Sequence, residues 1–174
     1  MPGWEELVIA ARAGDRHAFA ALVEREGPAA VRLARRILGS AADAEDAAQD
    51  AFIRAWRDLP RLRDAGRWPA WFRRLVVRAA LDGARRSRRG PQIVSAEVGD
   101  PAAPDSTARL AERDRVLQAL ASLPVGERAV LVLRYGEDLE VPDVADALSI
   151  PLGTAKSRIH RALRRLRAQL GDES

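Results

Sequence analysis

One stretch of the chain gathers cations with no acid among them: LGTAKSRIHRALRRLRAQL, residues 152 to 170, carries Lys156, Arg158, Arg161, Arg164, Arg165 and Arg167. The chemistry open to such a cluster is electrostatic, the neutralisation of nucleic-acid phosphates. From Leu152 onward Ile159, Leu163, Leu166 and Leu170 recur at helical spacing, so a helix is expected here with one buried stripe and a basic face opposite. A shorter helix, residues 142 to 148, precedes it, opened by Pro142, and SIPLG makes a tight connection between the two. This is the pattern of a helix-turn-helix, which sets the N-terminal residues of its second helix against base edges in the major groove. Lys156, Ser157, His160 and Arg161 are therefore the candidates for base contact. The competing reading is a surface helix whose arginines are merely solvated, but turn, polarity and charge agree better with DNA.

A second stretch has the opposite charge. DAEDAAQDAFIRAWRDL, residues 43 to 59, reads as a helix capped by Asp43, with Ala48, Ala51, Phe52, Ala55 and Trp56 toward a core and Asp43, Asp46 and Asp50 together beside Ile53. An acidic face does not bind DNA. It suits a basic protein partner, with Ile53 as apolar anchor and the carboxylates giving orientation. Alternatively, the acids only favour the helix N-terminus. Residue chemistry by itself leaves these two readings level.

The remaining segments must position these faces. Trp4 to Ala13, Arg16 to Glu26 and Pro28 to Leu38 read as helices separated at Gly14-Asp15, Gly27 and Gly39-Ser40, with Asp15 as an N-cap. Arg32, Arg35 and Arg36 fit a solvated face better than a contact with DNA or polymerase, the alternative they leave open. After Pro60 comes a loop, residues 61 to 67, and then one long helix, residues 68 to 89. Phe72, Leu75, Val76 and Ala79 form its buried side, while Arg74, Arg78, Arg85 and Arg89 share another side with Trp71 at the edge. Arginines beside aromatic rings can hold a backbone while the rings stack on unpaired bases. Equally, Trp68 and Trp71 can be core residues. GPQIVSAEVGDPAAPD, residues 90 to 105, has three prolines, two glycines and no basic residue, and reads as a linker. Beyond it, helices are expected over residues 108 to 120 and 124 to 136, forming the core on which the helix-turn-helix sits.

The expected fold is all-α: two small helical domains, residues 1–89 and 106–174, joined by a flexible linker over residues 90–105, the second domain a helix-turn-helix domain. A length of 174 residues with 47% hydrophobic content suffices for such cores. The absence of cysteine excludes disulfides and thiolate metal sites, and His17 and His160 lack carboxylate neighbours at ligand spacing, so no metal or cofactor is expected. No run of about 18 apolar residues and no signal-peptide pattern occurs, so a cytoplasmic protein without membrane insertion is expected. An enzyme acting on nucleic acid would need a carboxylate, metal or nucleophile constellation, and none is visible.

Both charged stretches carry a resemblance. GTAKSRIHRALRRLR, preceded by DVADALSIP, looks like the promoter-reading helix-turn-helix of bacterial sigma factors, and DAEDAAQDAFIRAW is similar to their segment that docks on core RNA polymerase. In this order and separation the chain resembles the compact extracytoplasmic-function (ECF) type of the sigma-70 family over nearly its whole length. A simple transcription regulator would leave the acidic face idle.

The resemblance implies a sigma factor that binds core polymerase, recognises and melts promoter DNA, and has no catalytic activity. Its core-polymerase set is Asp43, Glu45, Asp46, Gln49, Asp50, Ile53 and Trp56, with the clamp helices of the largest subunit and the flap region of the second subunit as counterparts. Its downstream-element set is Arg63, Asp64, Arg67, Trp68, Trp71, Arg74, Arg78 and Arg85, with the loop pocketing a base flipped from the non-template strand. The upstream-element set is Thr154, Lys156, Ser157, Arg158, His160, Arg161 and Arg164. An anti-sigma factor is an implied partner, and the acidic linker is implied to thread toward the RNA exit channel. Three positions depart from the family pattern: Arg78 where asparagine is frequent, Ser149 where glycine is frequent, and Pro142 within the first helix of the motif.

Overall fold

The computed structural model describes residues 3–87 and 107–171, and of 107–111 the backbone alone. Among the described residues there are eight α-helices and no strand: α1 Trp4–Arg12, α2 Arg16–Leu38, α3 Ala41–Asp58, α4 Trp68–Ser87, α5 Thr107–Ser122, α6 Val125–Leu131, α7 Val141–Leu148 and α8 Leu152–Leu170. Two single 3₁₀ turns, Leu59–Arg61 and Ala65–Arg67, join α3 to α4. The expected linker, residues 90–105, and Arg89 lie outside the described residues.

Local chemistry explains most boundaries. Asp15 caps α2, its side chain accepting from the His17 and Ala18 amides at 2.8 and 3.1 Å. Ser40 rather than Asp43 caps α3: its hydroxyl accepts from the Asp43 amide at 3.3 Å, which places Asp43 inside the first turn, where its charge still faces the positive helix end. Residues 16 to 38 form one helix instead of the expected two. Pro28 removes one hydrogen bond and an interior proline costs about 3 kcal/mol. Against that, Ala18 and Leu22 before it and Ala30, Leu33, Ala34 and Ile37 after it are all buried on one stripe. A break at Gly27 would split that stripe and expose half of it. Burial along the whole length outweighs the local penalty. In the second half, α6 passes into a π turn, Val132–Gly136, so the expected helix over residues 124 to 136 keeps its extent but not its uniform winding.

The helices α2, α3 and α4 pack mutually, with α1 against α2. Their contact is aromatic: all three phenylalanines and three of the four tryptophans form one connected run. Phe19 meets Trp56 at 4.9 Å and Phe52 edge-on at 6.4 Å, Phe52 meets Phe72 at 4.6 Å, and Phe72 stacks on Trp68 at 5.0 Å with planes 3° apart. The second lobe is built on α6 against α8, with α7 and α5 at its sides.

The lobes meet at Arg128. This guanidinium donates to the Leu120, Ala121 and Leu123 carbonyls at the end of α5 and to the Ile37 carbonyl at the end of α2. Two helix C-termini, each with unsatisfied carbonyls and the negative end of a dipole, thus share one cation. Gly39, in the left-handed region at φ 78°, lets it in: a Cβ there would stand 3.3 Å from Arg128 Nη1. Arg128→Ala is expected to lower the unfolding free energy by about 2 kcal/mol in urea denaturation, because these carbonyls lose a charged donor. Arg128→Lys should recover only part of the loss, since an ammonium cannot reproduce the planar fork.

Candidate nucleic-acid and partner interfaces

Residues of the α7–turn–α8 unit fix the geometry of the basic face. Pro142 occupies the first turn of α7, where its missing N–H has no helical acceptor to lose. Ser149 takes the left-handed conformation, φ 53° and ψ 47°, that glycine adopts more easily, and the Ile150 amide closes the turn on the Ala145 carbonyl at 3.0 Å. Along α8 the buried residues are Ala155, Ile159 and Ala162, with Leu163 and Leu166 partly covered. Leu152 is 43% exposed, so the stripe begins one turn later than its apolar spacing suggested.

Lys156, Ser157, His160, Arg161 and Arg164 are exposed on α8, and Thr154 and Arg158 are half-buried. Ser157 donates to the Thr154 carbonyl at 3.0 Å. Lys156, Arg161 and Arg164 make no ion pair among the described residues, so their charges stand ready for an external anion. Arg165 differs from its neighbours. It pairs with Glu127 at 3.0 Å, the single charged residue buried among those described, and so joins α8 to α6 instead of serving the basic face. Glu127 lies 38 residues away, a separation at which helical spacing says nothing.

The loop and α4 form a second cationic region. Arg63, Asp64 and Arg67 are exposed, and Asp64 turns back to accept from the Gly66 amide at 2.9 Å. Trp68 corrects the expectation: it is fully buried, stacked on Phe72, and has no face left for a base. Its indole nitrogen has no hydrogen-bond partner among the described residues. Trp71, one turn on, remains half-buried at the surface, 5.7 Å from the Trp68 ring. Arg74 and Arg78 point at the other lobe, Arg74 pairing with Asp146 of α7 at 3.4 Å and Arg78 donating to the Ser149 hydroxyl at 3.0 Å. The position that departs from the family pattern on α4 therefore contacts one that departs in the helix-turn-helix. Arg85 pairs locally with Asp82 at 3.5 Å.

On α3, Asp43, Glu45, Asp46 and Gln49 are exposed, and Ile53 is 61% exposed. Asp50 is set apart from them. It is half-buried and bonded to Arg54 at 2.7 Å, and Arg54 also bonds Asp82 of α4 at 3.0 Å. Burial opposes the charge on Arg54, but the hydrogen bonds it donates to Asp82 and Asp50 outweigh it and raise its pKa further. Asp50 thus ties α3 to α4 as well as bordering the acidic face. Trp56, expected in the core, is 38% exposed. It closes a shallow apolar groove with Phe19, Val23 and Val31 of α2 and Ile53 of α3. The α2 side of this groove is not legible from spacing, although Phe19 and Val23 are four residues apart: spacing shows that they share a face, not that part of the face stays open.

Known proteins with this arrangement give the class. Residues 22–90 match Sigma-70 region 2 and residues 113–166 match Sigma-70, region 4, the two parts of a bacterial transcription initiation factor. The chain is 32% identical over 172 residues to the ECF RNA polymerase sigma factor SigW of Bacillus subtilis, covering 91% of this chain and 92% of that one. It belongs to the ECF RNA polymerase sigma factors of the sigma-70 family, and it directs RNA polymerase to promoters. Among solved structures, CnrH in complex with the cytosolic domain of CnrY shares 30% identity at a TM-score of 0.66, with 98% of both chains covered. The sigma factor RpoE of Bartonella quintana, in complex with the anti-sigma factor NepR, has the same fold at a TM-score of 0.70 over 90% of this chain and 98% of that one, with 22% identity. No helix among the described residues is long and apolar enough to cross a membrane.

Because Asp50 also holds α3 to α4, charge reversal there would perturb packing as well as any docking on this face. Ile53 separates the two effects. Ile53→Ala is expected to weaken core-polymerase binding about tenfold, roughly 1.4 kcal/mol, with an unchanged thermal midpoint. A binding titration beside a melting curve checks both.

Proposed function

We propose that the three faces divide the work of initiation. Asp43, Glu45, Asp46, Gln49 and the apolar rim of Ile53 and Trp56 meet the clamp helices of the largest polymerase subunit, with Asp50 bordering them. The loop carrying Arg63, Asp64 and Arg67 takes a base of the downstream element, while Trp71, Arg74, Arg78 and Arg85 follow the opened strand. Thr154, Lys156, Ser157, Arg158, His160, Arg161 and Arg164 read the upstream element, and the second lobe meets the flap region of the second subunit. In this reading residues 1–89 and 106–174 are the two functional domains, and residues 90–105 connect them. The protein acts in the cytoplasm by binding alone, without a chemical step of its own.

The observation that carries the reading is the outward cationic face of α8: exposed lysine and arginines on a helix whose other side is buried, with no acid of the same helix to quench them. The downstream surface is partly engaged by Asp146 and Ser149 of the second lobe. Exposed pairs of this kind contribute about 0–1 kcal/mol each, so phosphates of a promoter can displace them. An anti-sigma factor bound to this chain, as NepR is bound to RpoE in the Bartonella quintana complex, would keep the surface engaged until a signal removes it.

Run-off transcription from genomic fragments with purified core polymerase tests the whole reading. Defined transcripts that require this protein are expected; failure both to bind polymerase and to yield transcripts would sink it. On a promoter recovered in this way, Arg161→Ala and Lys156→Ala should each weaken selection of the upstream element by about 1–3 kcal/mol if the side chain reads a base. An equal loss on matched and scrambled elements would assign that side chain to phosphate instead.

A further inference from the structure

The first helix carries no residue assigned to DNA or polymerase, yet it reaches the base-reading loop. Arg12, in the last turn of α1, donates from Nη1 to the carbonyls of both Leu62 and Arg63 at 3.0 Å, across 50 and 51 residues of sequence. The guanidinium is half-buried, on a helix anchored by the buried Val8 and Ala11. Its two acceptors are consecutive, and they immediately precede Asp64, which folds its carboxylate over the Gly66 amide at 2.9 Å while the Arg67 amide donates to the Asp64 carbonyl at 3.2 Å. The loop is therefore held at its start by Arg12 and within itself by Asp64. Leu62 is buried, whereas the side chains of Arg63, Asp64 and Arg67 stay exposed.

That division has a physical consequence. A loop whose side chains discriminate between bases must hold its backbone still, because a misplacement of about 1 Å in a recognition group forfeits much of its selectivity. Two charge-assisted hydrogen bonds to successive carbonyls fix both the position and the direction of the peptide plane between them. We propose that Arg12 is a positioning residue for downstream-element discrimination: it clasps the Leu62 and Arg63 carbonyls to α1 and so presents Arg63, Asp64 and Arg67 in the shape that separates the right base from the wrong one. The proposal rests on the reading of this loop as the base-binding one.

The test uses holoenzyme reconstituted from core polymerase and the full chain, on the strongest promoter recovered by run-off transcription and on versions with single-base changes in its downstream element. The quantity read is the ratio of transcription from the matched to the altered promoter. Arg12→Ala is expected to lower that ratio about tenfold with unchanged polymerase affinity, and Arg12→Lys, which keeps a cationic donor, to restore most of it. Should Arg12→Ala melt the first lobe, Arg12→Gln, which retains the stem and one donor group, is judged by the same criterion. Asp64→Ala separates this proposal from the reading beneath it. If Asp64→Ala lowers the ratio and the Arg12 variants do not, Arg12 has no positioning role and the loop reading survives. If Asp64→Ala and Arg63→Ala both leave the ratio unchanged, the loop reading falls and takes the proposal with it. An equal drop on every promoter at constant ratio would make Arg12 a structural strut and overturn the proposal. Finally, Arg12→Ala added to Asp64→Ala should cost little further discrimination; fully additive losses would show that the two act independently and overturn the shared clasp.

Discussion

The run of aromatic rings from Trp56 through Phe19, Phe52 and Phe72 to Trp68 and Trp71 is the constraint on which the first lobe depends. It begins at the groove beside Ile53, where a polymerase partner is proposed to bind, and ends where the loop and α4 present their arginines. Aromatic pairs of this geometry contribute about 0.5–1.5 kcal/mol each beyond their burial, and flat rings tolerate little sliding once packed edge and face against neighbours. The proposed docking surface at one end and the proposed strand-binding surface at the other therefore sit on one rigid body. Small alanines make this possible: Ala44, Ala47, Ala48, Ala51 and Ala55 line the buried side of α3 and let the helices approach closely enough for the rings to meet.

Charge in this protein does two separate jobs. Arg12, Arg54, Arg128 and Arg165 direct their hydrogen bonds inside the protein, to loop carbonyls, to Asp50 and Asp82, to two helix ends and to Glu127 respectively. Each joins elements far apart in sequence. Guanidinium suits this role because its planar fork serves several acceptors at once and stays protonated, consistent with a chain that has a single lysine among 29 basic residues. The lysine and the remaining arginines of α8 keep their charge at the surface. A count of basic residues does not distinguish these populations, and only the second can release counterions from DNA.

The two lobes touch through contacts of unequal character. Arg128 at the ends of α2 and α5 is partly buried and multiply bonded, whereas Arg36 with Glu137 and Arg74 with Asp146 are exposed ion pairs. Exposed pairs are weak and salt-sensitive. An interface of that composition is suited to rearrangement, as the proposed binding of promoter phosphates by Arg74 and Arg78 would require. The π turn at Val132–Gly136 lies at the same junction, its last carbonyl accepting from Arg36 at 3.3 Å.

Much of this was legible in one dimension. Helical periodicity, proline and glycine placement and the segregation of acids from bases determined the all-α class, the helix-turn-helix and the face on which Lys156, Ser157, His160, Arg161 and Arg164 stand exposed, because each of these is a property of neighbours within one or two turns. Tertiary structure decided the rest. It carried α2 straight through Pro28, where burial of a continuous stripe outweighed the local breaker. It sent Trp68 inward and left Trp56 partly outside, since both sit beside apolar neighbours and only the position of the facing helix selects which ring is covered. It turned Arg165 and Asp50 to internal partners and joined Arg12 to a loop 50 residues away. Hydrogen bonds and ring contacts between distant segments leave no periodic trace in sequence, and their identity exists only once packing has brought the segments together.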